Sequence, residues 1–255
     1  MFPLPLSLNQ YIIRCDAPTS AQLAFQDPAS PSMIAIIALH HEISYILLLI
    51  AGSLGYLLYR PIQSHTRNQQ SHSLYSNEQS TLEIIWTSIP SAILLLLGGP
   101  SLALLFSLDS IGQPVLTMKA IAHQWYWSYE YTDSTINQTT YESYIIETNE
   151  LKSGDLRLLE TDQPATLPTY IHIRMLITSN DVLHSYAIPS LGIKIDAIPG
   201  RLNQAAIIIS RSGSYYGQCS EICGTNHGFM PINIEATSLK QYLDWLIRQS
   251  SDSTT

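Results

Sequence analysis

The chain has 255 residues and a formal net charge of −8 at pH 7, with 20 Asp and Glu against 12 Lys and Arg. Charged residues are only 13% of it, about half the share usual in soluble domains. The acidic balance argues against a nucleic-acid-binding protein, because phosphate contact requires a basic face. Hydrophobic residues are concentrated in long runs rather than spread evenly, and these runs define the organisation of the chain.

The first 15 residues, MFPLPLSLNQYIIRC, are mildly apolar and carry one arginine. They are too short and too interrupted by proline to span a bilayer. We expect residues 1–15 to be a leader that is cleaved near Cys15–Asp16. Cleavage would remove Cys15 and leave two cysteines, Cys219 and Cys223.

Two uncharged apolar runs follow, ISYILLLIAGSLGYLLY at 43–59 and IIWTSIPSAILLLLGGPSLALLF at 84–106. A bilayer core requires about 20 apolar helical residues, so we predict spans at about 41–60 and 84–107, within a transmembrane hairpin at 16–108. The alternative is a pair of buried helices in a soluble core, but the prolines and glycines of the second run suit a membrane helix better. The link between the runs holds Arg60 and Arg67, whereas the segment before the first run, from Asp16 onward, has no Lys or Arg. The positive-inside rule therefore places both chain ends outside.

Residues 109–255 have a different composition, in which short β-branched and aromatic runs alternate with turn residues. These runs are QWYWSYEY (124–131), PTYIHIRMLIT (168–178), QAAIIIS (204–210) and PINIEAT (231–237), and their spacing predicts an antiparallel sandwich or barrel. LKQYLDWLIRQ (239–249) has helical apolar spacing and predicts a C-terminal helix. The domain has 9 Lys or Arg and 15 Asp or Glu, a formal charge of −6, which suits a basic protein partner.

The stretch CSEICGTNHGFM brings together Cys219, Cys223, His227 and Met230. A disulfide between cysteines four apart would close a very short loop and stabilise weakly, and it would leave the histidine and methionine unexplained. Zinc would use the thiolates and imidazoles but rarely a thioether. Copper accounts for every residue, because soft thiolate and thioether with imidazole select copper.

Two cysteines suit two coppers that share both thiolates, with one histidine for each metal. His184, in the apolar segment DVLHSYAIPSLG, is the candidate for the second histidine, 35 residues before Cys219. Met230 and the backbone carbonyl of Glu221 would then occupy the weak axial positions. The sequence therefore predicts a dinuclear copper site.

The segments CSEICGTNHGFM, DVLHSYAIPSLGIKIDAIPGRLNQ and HQWYWSYEY closely resemble subunit II of mitochondrial cytochrome c oxidase. The resemblance extends to DAPTSAQLAFQDPASP and LEIIWTSIPSAILLLL, and so covers nearly the whole chain. It implies an N-terminal transmembrane helical hairpin and an all-β, cupredoxin-like Greek-key barrel with a C-terminal helix. It also implies the mitochondrial inner membrane, with the barrel at 109–255 and both termini in the intermembrane space.

The same resemblance implies an electron-transfer subunit of a haem–copper terminal oxidase, which takes electrons from reduced cytochrome c at a dinuclear CuA centre. The electrons would pass to haem in catalytic subunit I, where oxygen is reduced to water with proton pumping. The copper ligands implied are His184, Cys219, Glu221 through its carbonyl, Cys223, His227 and Met230.

Further roles are implied by the resemblance alone. The Glu221 side chain is expected to reach a magnesium ion at the interface with the catalytic subunit, and Trp125 is expected to be the electron-entry residue. Alternation along a strand cannot choose between Trp125 and Trp127. The expected docking acids are Glu130, Asp133, Asp162 and Asp181. The chain departs from the family pattern at Ser110, where a glutamate associated with a proton path is expected.

Two other classes remain as alternatives. One is a quinol-oxidase-type subunit II, which keeps the hairpin and barrel without copper, although the complete set of copper ligands argues against it. The other is a membrane-anchored, disulfide-stabilised binding domain of a secretory membrane. Asn137, Gln138 and Thr139 form a glycosylation sequon that would be used there.

Overall fold

The computed structural model describes residues 16–66, 79–110, 112–132 and 139–252. The predicted leader at 1–15, the docking acid Asp133 and the sequon residue Asn137 lie outside these ranges, so the structure says nothing about them.

Two long helices precede the β domain, α1 over Pro31–Thr66 and α2 over Ser80–Asp109. Each is long and apolar enough to cross a membrane. The predicted spans lie within them, but the helices extend further, since α1 begins well before residue 41. Their apolar side chains are largely exposed, as for Leu95 at 81% and Leu96 at 76%. Such helices satisfy their backbone polar groups internally, which suits an environment of lipid.

The β domain has ten described strands in two five-stranded sheets. The strands are β1 Leu116–His123, β2 Tyr126–Thr132, β3 Thr139–Ser143, β4 Ala165–Pro168, β5 Ile173–Ser179, β6 His184–Ile188, β7 Ile193–Ala197, β8 Asn203–Ile207, β9 Gly213–Cys219 and β10 Pro231–Thr237. The first sheet has the order β3-β2-β1-β5-β8 and the second the order β4-β10-β9-β6-β7. Adjacent strands are antiparallel except for the β1–β5 and β4–β10 pairs, which are parallel.

The core lies between the sheets and follows from the alternation of residues along the strands. In β1 the buried positions Leu116, Met118, Ala120 and Ala122 alternate with half-buried ones, as expected for a strand with one face in the core. The C-terminal helix, α3 over Leu239–Asp252, packs onto the core through the buried side chains of Tyr242 and Leu246 and the partly buried ring of Trp245. The predicted helix is therefore confirmed.

Two predicted strand runs need correction. The run at 168–178 crosses the end of β4 and a break before β5, where Tyr170 has a φ of 59°. The run at 124–131 begins too early, because Gln124 and Trp125 form the turn between β1 and β2. Propensity misses both breaks because β-branched and aromatic residues continue through the turns.

The segment before α1 folds with the β domain. The Ala29 N–H donates to the Ser190 carbonyl at 2.8 Å, and the Ala29 carbonyl accepts from the Ser210 N–H at 2.8 Å. The Arg211 guanidinium binds both carboxylate oxygens of Asp16, with Nη1 2.6 Å from Oδ2. Residues 16–34 and 108–252 therefore form one folded unit, although the sequence suggests a boundary only near residue 109.

Candidate metal centre

The ligand loop, which we define as residues 219–230, joins β9 to β10. Cys219 is the last residue of β9, Met230 immediately precedes β10, and a short 3-10 helix covers His227–Phe229. The Phe229 N–H donates to the Asn226 carbonyl at 2.9 Å, which tightens this turn. Because both ends of the loop are fixed by antiparallel strands, its sulfur and imidazole groups are held at one end of the sheet.

His184 reaches the ligand loop through strand pairing. It is the first residue of β6, and the β6–β9 register sets Tyr186 opposite Cys219. The Ser220 N–H donates to the Ser185 carbonyl at 3.0 Å and extends the pairing into the loop. The strands approach so closely that a Cβ at Gly217 would lie 2.0 Å from the Ala187 carbonyl oxygen. Only glycine therefore fits there.

The donor atoms converge around the two cysteines. Cys219 Sγ lies 3.8 Å from His184 Nδ1 and 3.4 Å from the Glu221 carbonyl oxygen. Cys223 Sγ lies 3.5 Å from both His227 Nδ1 and Met230 Sδ. The two thiols are 4.0 Å apart, about twice the length of a disulfide bond. Each sulfur thus has its own histidine, and the donor atoms of His184, Cys219 and Cys223 all lie within 4.8 Å of one another.

The electrostatics of the paired thiols favour a bound cation. Burial raises the pKa of Cys219, but hydrogen bonds to His184 and to the Ser185 backbone outweigh it and hold that pKa below its usual value. Burial and then the negative charge of Cys219 raise the pKa of Cys223. Without a metal, the Cys219 thiol therefore ionises more readily than an ordinary thiol, and the Cys223 thiol ionises less readily. Since cysteines bind a metal as thiolates, a cation held by Cys219 and Cys223 would favour ionisation of both and release protons.

Trp125 lies directly beside the ligand loop. Its indole Nε1–H donates to the Cys223 carbonyl at 3.3 Å, and the Gln124 side-chain amide donates to the same oxygen at 2.8 Å. Gly224 leaves room for this contact, because an added Cβ would lie 3.0 Å from Trp125 Cζ2. Its φ of +123° is also a backbone conformation that glycine adopts without strain. These roles of Gln124 and Gly224 cannot be predicted from the sequence, since they depend on how a distant turn approaches the loop.

Trp127 occupies a different position from Trp125. It is fully buried, and its ring meets those of His184 and Tyr186 with centroid distances of 6.2 and 5.0 Å. Its Nε1–H donates to the Met230 carbonyl at 3.4 Å. Alternation along a strand cannot distinguish the two tryptophans, whereas the turn before β2 places Trp125 at the ligand loop and leaves Trp127 in the core.

The expected docking acids have unlike surroundings. Glu130 pairs with Lys119 at 3.0 Å and is half-buried, so its charge is partly compensated. Asp162 is exposed and accepts from the N–H groups of Tyr144 and Gln163, both at 2.7 Å. Asp181 is bound to His184, with Oδ1 2.8 Å from Nε2. The Glu221 side chain is half-buried in the ligand loop.

The chain matches known proteins along both of its parts. Residues 18–104 match the family described as the transmembrane domain of cytochrome c oxidase subunit II, and residues 116–237 match its periplasmic domain. The cytochrome c oxidase subunit 2 of Zea mays is 50% identical over 93% of each chain, and that of Phytophthora megasperma is 48% identical over 94% of this chain and 91% of the relative.

A solved structure agrees with the fold. The crystal structure of the periplasmic domain of subunit II of cytochrome oxidase from Bradyrhizobium japonicum is 38% identical, with a TM-score of 0.52, and covers 57% of this chain and 100% of that one. The predicted architecture, two apolar helices followed by a cupredoxin-like β domain and a C-terminal helix, is confirmed. The chain belongs to the cytochrome c oxidase subunit II family.

Proposed function

We propose that the ligand loop and His184 hold a dinuclear copper centre, with Cys219, Cys223, His184, His227, Met230 and the Glu221 carbonyl as ligands. The observation that carries this proposal is the pairing of donors, because each thiol has a separate imidazole within 3.8 Å. Such a pair of coppers, when bound, would accept and pass on one electron at a time.

The donor types favour copper over zinc. Met230 is 1% exposed and its thioether lies 3.5 Å from Cys223 Sγ. Zinc rarely uses thioether sulfur, whereas copper electron-transfer sites use it as a weak axial ligand. The same complete donor set argues against a quinol-oxidase-type subunit, and the 4.0 Å between the thiols argues against a disulfide-stabilised binding domain.

Electron entry is proposed at Trp125, with reduced cytochrome c as the donor. The indole ring is bonded to the backbone of a proposed ligand residue, Cys223, and is only partly buried. An acidic outer domain would attract a basic donor protein and raise its association rate. The proposed docking acids are Glu130, Asp133, Asp162 and Asp181, and of these Asp162 is exposed and bonded only to backbone N–H groups.

The proposed membrane arrangement is supported by the contacts of the segment that precedes α1. Residues 16–34 are bonded to the β domain through Ser190, Ser210 and Arg211. We propose that the chain enters and leaves the membrane on one side, as two membrane spans require. We place this side in the mitochondrial intermembrane space, with α1 and α2 in contact with lipid and with other oxidase subunits in the inner membrane.

The onward partner in this proposal is catalytic subunit I, where haem would receive the electron and oxygen would be reduced to water with proton translocation. The Glu221 carboxylate would reach a magnesium ion at that interface, since magnesium prefers oxygen ligands. Ser110 is exposed directly after α2 and cannot carry a proton as a carboxylate does. Another group must therefore serve any proton path that begins there.

Spectroscopy of the full chain, in detergent and loaded with copper, tests the copper proposal. The full chain is preferable to a fragment cut near Asp109, which would lose the Asp16–Arg211 pair. We expect visible and near-infrared bands, and a hyperfine pattern from one unpaired electron shared by two copper nuclei. Cys223→Ser should remove this pattern. A wild-type spectrum of a single isolated copper would overturn the proposal.

A further inference from the structure

Asp181 makes contacts that a docking acid does not require. Its Oδ1 lies 2.8 Å from His184 Nε2, and its Oδ2 accepts from the Gln124 N–H at 2.6 Å. Oδ1 also accepts from the Val182 N–H at 2.6 Å. Both carboxylate oxygens are therefore engaged, and one of them binds a proposed copper ligand.

The contact with His184 determines which ring nitrogen is available. A carboxylate can only accept, so Nε2 must carry a hydrogen and donate it to Asp181. The opposite nitrogen, Nδ1, faces Cys219 Sγ at 3.8 Å. The His184 ring is fully buried and Trp127 packs against it. Asp181 thus holds the ring with Nδ1 directed toward the thiols.

The contact with Gln124 connects the same carboxylate to the Trp125 turn. On its other side this turn is fixed to the ligand loop, because both the Gln124 amide and the Trp125 indole donate to the Cys223 carbonyl. Asp181 therefore joins two elements that are distant in sequence, the strand that carries His184 and the turn that carries Trp125.

The exposure of Asp181 is consistent with this role. Its side chain is 30% exposed, and both of its carboxylate oxygens accept hydrogen bonds from within the chain. Much of its hydrogen-bonding capacity is directed into the protein rather than toward a partner.

We propose that Asp181 is a positioning residue, which orients His184 for metal binding and sets the Trp125 turn against the ligand loop. This inference rests on the proposed copper function for its consequence, but its structural part concerns the metal-free chain. Hydrogen-bonded partners of metal-binding histidines typically contribute about 10- to 100-fold to metal affinity.

The test compares Asp181→Ala with Asp162→Asn in the full chain. Asp162 is a matched control, because it is also an acidic surface residue that accepts two backbone N–H bonds, and its contacts are with Tyr144 and Gln163. Asp181→Asn is included in case the alanine variant does not fold, since an amide oxygen can still accept one of these bonds but carries no charge.

Two measurements are made on each variant. In the metal-free chain, proton NMR should show a His184 Nε2 proton protected from exchange in the wild type and in Asp162→Asn. This protection should be lost in Asp181→Ala and reduced in Asp181→Asn. After copper loading, competition with a chelator should show a copper affinity about 10- to 100-fold lower in Asp181→Ala than in the control.

The outcomes separate the two proposals. Unchanged protection of the Nε2 proton in both Asp181 variants would overturn the positioning role, whatever the copper measurement shows. Loss of protection together with a copper affinity equal to that of the control would also overturn it. If the wild type failed to bind copper while the NMR difference held, the copper function would fail and the orientation of His184 by Asp181 would stand.

Discussion

Replacement of Gly224 by alanine tests how Trp125 is held against the ligand loop. An added Cβ would lie 3.0 Å from Trp125 Cζ2 and 3.2 Å from Gln124 Nε2, closer than the optimal separation of about 3.5–4.0 Å. The indole ring and the amide must both move away, which weakens their bonds to the Cys223 carbonyl. The φ of +123° adds backbone strain for any residue with a Cβ.

The magnitude follows from that strain. A side chain in an unfavourable backbone region costs about 1–3 kcal/mol. In a domain of this size each kcal/mol lowers the unfolding midpoint by about 2–4 °C, so we expect a decrease of about 2–12 °C. Displacement of the ring should also slow electron delivery from reduced cytochrome c, with the copper spectrum retained.

Gly228→Ala is the matched control for this experiment. It lies in the same loop, and an added Cβ there has no atom within 4 Å. Thermal unfolding followed by circular dichroism gives the stability change, and stopped-flow absorbance gives the rate of electron delivery. If Gly224→Ala and Gly228→Ala behaved alike in both measurements, the close packing of Trp125 on the loop would be refuted.

Three further predictions concern other parts of the chain. Trp125→Phe should slow electron delivery in stopped-flow measurements while the copper spectrum stays unchanged. An unchanged rate would contradict electron entry at Trp125 and indicate that its ring only contributes to packing. Arg211→Met should destabilise the fold by about 1–3 kcal/mol in thermal unfolding, because it leaves the buried Asp16 carboxylate without its cation, and the double variant with Asp16→Asn should recover part of that loss. Asp162→Asn should lower the association rate of cytochrome c and weaken its salt dependence, since an exposed charge acts mainly through steering; equal rates and salt slopes would place docking elsewhere.

The sequence was sufficient for much of the proposed metal site because most of its donors are local. Cys219, Cys223, His227 and Met230 lie in one loop between two strands, and their chemistry indicates a metal before any fold is known. His184 is more distant, but the number of ligands required by two metals suggested a second histidine. The β6–β9 register supplies the physical reason for its approach.

The residues that the sequence did not reveal act through tertiary contacts. Gly217 is needed because two strands approach closely, and Gly224 because an indole ring packs on the loop. In the sequence Asp181 indicates only a surface charge, whereas in the structure it is bound to His184. The packing of residues 16–34 on the β domain cannot be predicted either, because hydropathy detects the membrane runs but not the contacts of the polar segment before them.

The number of coppers bound per chain tests the central claim most directly. Native mass spectrometry of the copper-loaded full chain should show a mass increase of two copper ions in the wild type. Cys223→Ser should bind fewer, because one of the two proposed bridging thiolates is lost. A wild-type chain that saturated with a single copper while both thiols stayed reactive toward an alkylating reagent would contradict the dinuclear centre.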